Sequence, residues 1–196
     1  MTEENKNLEN LARYQYADVS ARLYSNEQTA PFAKGALEKL IEKMDSSSKD
    51  IAEGFYKGAF ATEEGMKIAI SINAKKYQDA LNGLNVAEFY EARLGTLKSV
   101  LGDEKTEEAK SIFEKYSGQT IGSINKKFEQ ANAILKDKTG LFDDKKKDEA
   151  KKTIEKLTPL YTLINLIEQR NYETLIPSAT KSTYKEEITE ALKKLA

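Results

Sequence analysis

The sequence predicts an all-α protein. Three observations carry this expectation: apolar residues recur mostly at spacings of three and four, Glu, Lys, Leu and Ala dominate, and only three prolines interrupt the 196 residues, at Pro31, Pro159 and Pro177. The expected architecture is a compact irregular multi-helix bundle or a short stack of helical hairpins, with about eight to ten helices. Its length fits one domain spanning 1–196, with a weak subdivision near 102–106.

The first helix is expected from Glu4 to Tyr24, with Leu8, Leu11, Ala12, Tyr16, Val19 and Leu23 as one stripe. Tyr14, Ala17, Ala21 and Tyr24 form a second stripe beside it. A helix with two apolar stripes is either deeply buried or shared with a partner. A second helix begins near Pro31, capped by Thr29 or Ala30, and carries Leu37, Leu40, Ile41 and Met44. Ser47-x-x-Asp50 opens a third, with Ile51, Phe55 and Ala59. It contains Gly54-x-x-x-Gly58, a pattern that suits a tight helix crossing in the core; no GK[ST] follows, so it is not a phosphate loop.

Thr62-Glu63-Glu64 marks another helix start, with acids at the positive end of the dipole. In the next run Met66, Ile68, Ile70 and Ile72 alternate with Lys67, Ala69, Ser71 and Asn73. Alternation argues strand, but no other run offers an alternating partner and a lone strand is unstable. The segment Glu63 to Leu81 is therefore expected as one helix, apolar on several sides and so central and buried.

Asn85-x-x-Glu88 reads as a capping box opening a helix with Val86, Phe89, Tyr90, Leu94, Leu97 and Leu101, stopped at Gly102. A short helix with Ala109, Ile112, Phe113 and Tyr116 stops at Gly118. A longer one with Ile121, Ile124, Phe128, Ala131 and Leu135 stops at Gly140. Ala150, Ile154 and Leu157 lie on another, which Pro159 either kinks or ends before Leu160, Leu163, Ile164 and Ile167. Thr183-x-x-Glu186 is a capping box for a last helix carrying Ile188, Leu192 and Leu195.

Composition narrows the chemistry. The chain has no Cys, His or Trp. Ser-His-Asp and Cys-His nucleophile pairs, Cys/His zinc sites and Cys- or His-ligated iron are thereby excluded. Carboxylates, Lys, Tyr, Ser/Thr and hard oxygen-liganded ions remain. Charge is nearly balanced, 31 basic against 32 acidic residues, so a global basic field for nucleic acid is lacking. Arg13, Arg22, Arg93 and Arg170 are the only arginines, which lowers the case for bidentate phosphate reading. The opening MTEENKNLEN has no apolar core of a secretory signal, and Leu160 to Ile167 is too short to span a bilayer. The expected setting is cytoplasmic, without membrane contact.

The first functional expectation is non-enzymatic: a helical protein-interaction module acting as adaptor, scaffold or assembly subunit. Tyr14, Ala17, Ala21 and Tyr24 are its candidate surface for a protein partner or for self-association. The alternative is a small subunit of a nucleoprotein complex. It would touch RNA or DNA through Lys145, Lys146, Lys147, Lys151 and Lys152, the densest basic cluster. Asp143, Asp144, Asp148 and Glu149 surround these lysines, and i,i+4 pairing on a solvated face is the plainer expectation. A third reading is an enzyme using carboxylates, Tyr or Lys, with Mg²⁺. No catalytic residue, metal ligand or cofactor is assigned from sequence.

Overall fold

A computed structural model describes residues 61–175 and 184–196, together with positions 19, 20, 23, 33, 53, 54 and 57–59. The chain is all-α. Among the described residues, the helices with complete bounds are α1 (Glu63–Gly83), α2 (Val86–Ala92), α3 (Leu94–Leu101), α4 (Asp103–Lys115), α5 (Ile121–Lys136), α6 (Asp144–Leu175) and α7 (Lys185–Leu195). Among the described residues there is no strand. The chain divides into two compact units, Met1–Leu81 and Asn82–Ala196, so the division falls within α1.

In the first unit, Val19, Leu23 and Ala33 are helical and buried. Helix α1 starts where the acids predict: the Thr62 hydroxyl accepts from the Gly65 amide at 3.0 Å, capping the first turn. Its burial differs from the expectation. Ala69, Ile70, Tyr77 and Leu81 are buried, but Ile68 is 53% and Ile72 44% exposed. At 100° per residue, positions 68 and 72 lie on the side opposite position 70. The alternating isoleucines thus supply one buried stripe and one exposed pair, not a helix buried all round.

Gly54 and Gly58 are helical and exposed, and among the described residues a Cβ at either meets no atom within 4 Å. This corrects the expectation of a tight core crossing. Close approach is found instead at Gly65, whose would-be Cβ falls 2.8 Å from the Ala59 carbonyl oxygen, and at Gly122, where it falls 2.9 Å from the Asn82 carbonyl oxygen. Gly54→Ala is expected to stabilise by about 0.5–1 kcal/mol, because only backbone entropy changes. Gly122→Ala is expected to cost about 1–3 kcal/mol through a forced backbone shift. Urea midpoints of the two variants should therefore move in opposite directions.

In the second unit the capping box at α2 forms as the sequence predicts. Asn85 Oδ1 accepts from the Glu88 amide at 2.9 Å, and the Glu88 carboxylate accepts from the Asn85 amide at 2.7 Å. Thr120 caps α5 by accepting from Ser123 N at 3.1 Å. The two caps are tied by a short antiparallel bridge, Val86 N to Gln119 O and Ile121 N to Leu84 O. That pairing fixes the start of α5 beside the start of α2.

Four element boundaries depart from the sequence reading. The run 86–101 is two helices, broken at Arg93 (φ −115°, ψ 13°), and ends at Gly102 with φ +84° as expected. Helix α4 ends at Lys115, before Gly118. Helix α5 stops at Lys136, because the Asp137 carboxylate captures the amide and hydroxyl of Thr139. Those bonds hold the Asp137 carboxyl below its ordinary pKa. Leu135, expected in the stripe, is 39% exposed. Helix α7 is entered through Tyr184, in the left-handed region at φ 49°, with no side-chain cap; Thr183 lies outside the described residues. Pro159 does not end its helix, which continues from Asp144 to Leu175.

The core of this unit forms where α5 and α7 lie against α6 and where α2 and α3 lie against α4. Phe89, Leu97, Phe113, Ile121, Ile124, Leu160, Leu163 and Ile167 are almost completely buried. Phe128 of α5 stacks on Tyr161 of α6 with ring centroids 4.0 Å apart. Residues 102–106 are a hydrogen-bonded turn within this unit: Thr106 Oγ1 donates to Gly102 O at 2.7 Å, and the Tyr90 hydroxyl donates to Thr106 O at 3.0 Å. Burial is the main cause raising the Tyr90 hydroxyl pKa.

Candidate functional site

A cavity lies in the second unit, between α4 and α7. It is a groove of about 470 Å³. Its walls follow the helix period. Residues 105, 108, 109, 112 and 115 line it from α4, and 189, 192, 193 and 195 from α7, with Leu101 closing one side. The floor is apolar: Leu101, Ala109, Leu192 and Leu195 are buried, and Ile112 is half-buried. The rim is mostly basic, with Lys105, Lys115 and Lys193 against Glu108.

The three rim lysines differ in their work. Lys115 Nζ donates to Leu195 O at 3.0 Å, satisfying a carbonyl in the last turn of α7. Among the described residues, none of the three is in an ion pair within 4 Å. Lys105 and Lys193 are exposed. A smaller cavity of about 300 Å³ lies on the other side of α7, against α6, where Glu187, Glu190 and Lys194 stand over Pro159, Leu166 and Ala191. Lys194 pairs with Glu190 there at 3.6 Å.

Two part-buried polar arrangements join α3 and its flanking break to α6. Arg93 meets the Glu168 carboxylate with Nε at 2.5 Å and Nη2 at 3.3 Å, its side chain 4% exposed. Thr96 Oγ1 donates to Asn171 Oδ1 at 3.0 Å. Further along, the Tyr184 hydroxyl donates to Glu173 at 2.8 Å. That bond is the first cause raising the Tyr184 pKa, with Arg170 opposing it. These contacts clamp helices together, and none opens into either cavity. Among the described residues no three acidic side chains converge as a metal-holding group, and no helix is long and apolar enough to cross a membrane.

Tyr14, Ala17, Ala21 and Tyr24 lie outside the described residues. Lys145, Lys146, Lys147, Lys151 and Lys152 occupy the first turns of α6. They do not share one face. At 100° per residue, Lys147 and Lys151 fall together, Asp144 and Asp148 about 60° further round, and Lys145 with Lys152 a similar step beyond. Lys146 lies on the side of Ala150 and Leu157, its ammonium 5.9 Å from the Phe142 ring centroid. The expected i,i+4 pairs do not form: among the described residues none of the five lysines is within 4 Å of a carboxylate. The acidic stripe separates the basic ones instead.

The sequence reading missed the groove. Ile112, Leu192 and Leu195 were legible as core, but the gap between α4 and α7 depends on how two separately predicted helices meet. Compared with protein-family models, with curated proteins and with solved structures, the chain gives no match.

Proposed function

We propose that this chain is a non-enzymatic helical interaction module, an adaptor, scaffold or assembly subunit, and that the α4/α7 groove is its partner surface. The observation that carries the reading is the apolar floor beneath a rim of exposed lysines, which follows α4 for about three helical turns, roughly 15 Å, from Lys105 to the Lys115–Leu195 bridge. Clefts between helices that combine apolar floors with a few polar groups are a common recognition surface. The lysines of α6 support a nucleic-acid reading less well, because a backbone-tracking site needs one continuous basic stripe.

The test is capture of partners from the native lysate after nuclease treatment, with the wild-type protein and Ile112→Glu as paired baits. Partners are expected to survive nuclease and to fall about tenfold with the variant. Ile112 is half-buried, so the variant's melting temperature is expected to drop by only about 2–4 °C. Partners lost with nuclease, or retained in full by Ile112→Glu, would overturn the assignment.

A further inference from the structure

We infer that the occupant of the α4/α7 groove is an amphipathic helical segment with an acidic polar face. This deepens the proposed function and rests on it. Both halves of the chemistry are in the groove. The apolar floor is shared by Leu101 of α3, Ala109 and Ile112 of α4, and Leu192 and Leu195 of α7, so a facing helix lays its own apolar stripe into the seam between α4 and α7. Lys105 and Lys193 stand exposed on opposite walls, one from each helix. A helix seated between them therefore meets positive charge along both flanks.

The sign of the rim decides the partner's sign. Lys105, Lys115 and Lys193 face one lining acid, Glu108, and among the described residues none of these lysines is committed to a carboxylate. Lys115 is held by the Leu195 carbonyl, which leaves Lys105 and Lys193 as the pair free to choose a ligand. A basic helix would bring ammonium groups against them in a partly desolvated cleft, a like-charge contact that specific interfaces use to reject wrong partners. The α6 side of α7 carries the opposite bias, with Glu187 and Glu190 against the single Lys194, so α7 separates two grooves of different charge.

The experiment uses the full chain and two synthetic helical peptides of about 18 residues, five turns. Both carry the same Leu stripe and a single Trp; one has Glu on its polar face, the other Lys. The protein has no Trp, so peptide fluorescence reports binding directly. The Leu/Glu peptide is expected to bind at least about tenfold more tightly than the Leu/Lys peptide, with affinity falling as salt rises. The double variant Lys105→Glu with Lys193→Glu is expected to reverse that order while keeping the wild-type melting temperature, because both side chains are solvent-exposed. Equal binding of the two peptides, or no reversal, would overturn the inference. So would tighter binding of a labelled single-stranded DNA that the double variant abolishes. If neither peptide binds while lysate partners remain sensitive to Ile112→Glu, the acidic-helix assignment falls and the interaction-module reading stands.

Discussion

Arg93→Ala is expected to cost about 3 kcal/mol or more of folding free energy, read as a lowered urea midpoint with an unchanged slope. Arg93 sits at the break between α2 and α3, where the backbone leaves helical geometry. Its guanidinium engages both oxygens of Glu168, and Nη1 donates to Ala92 O at 3.2 Å. Its carbon centre also lies 6.0 Å over the Phe89 ring. The alanine variant removes all of this and leaves the Glu168 side chain, only 16% exposed, without its guanidinium. A largely buried carboxylate that loses a guanidinium partner carries a large share of its desolvation cost. Arg93→Lys is expected to fall between, since an ammonium keeps the charge and loses the two-pronged geometry. Replacing both partners, Arg93→Met with Glu168→Leu, is expected to recover most of the loss. An alanine variant within about 1 kcal/mol of wild type would show that the pair contributes no more than a surface ion pair does.

The parts of the fold that were legible in sequence are those whose cause is local. Asn85 and Glu88 specify a cap through two hydrogen bonds made within four residues, and Gly102 permits a left-handed turn that other residues resist. Thr62 and Glu63 place the start of α1 for the same kind of reason. The break at Arg93 was not legible, because the apolar stripe through Val86, Phe89, Tyr90, Leu94 and Leu97 continues across it. The residue at the break, Arg93, has its side-chain partner on α6, 75 residues away. One signal was present: four arginines in a lysine-rich chain mark positions where a forked donor has a use. Glycine is the commoner helix terminator, so Gly140 is the more legible stop, yet the helix ends earlier, at Asp137. The Asp137 side chain captures Thr139 first.

The candidate site was less legible than the fold. Each groove residue has an ordinary identity on its own helix: Ile112 and Leu192 as stripe members, Lys105 and Lys193 as solvated charge. The groove is a property of two helices meeting at an angle that leaves a cleft. No spacing within either helix encodes that angle. The α6 lysines show the converse. They are conspicuous in sequence as Lys145-Lys146-Lys147, yet the helix turns consecutive residues 100° apart and disperses them.

The isoleucines of α1 offer a second test with a large effect, because helix and strand make opposite predictions for them. In a strand Ile68, Ile70 and Ile72 share one face and should respond alike to substitution. In the helix Ile70 is 3% exposed, while Ile68 and Ile72 stand at 53% and 44% on the opposite side. Ile70→Asp is expected to abolish cooperative melting, since an unpaired carboxylate in that position carries a cost comparable to the whole stability of a domain. Ile70→Ala, which stays apolar, is expected to fold with a loss of about 2–5 kcal/mol. Ile68→Asp and Ile72→Asp are expected to stay within about 0.5 kcal/mol of wild type, as exposed substitutions do. The contrast between neighbours two residues apart is the diagnostic quantity. Three aspartate variants of equal effect would remove the helix assignment, and a tolerated Ile70→Ala would remove the buried stripe.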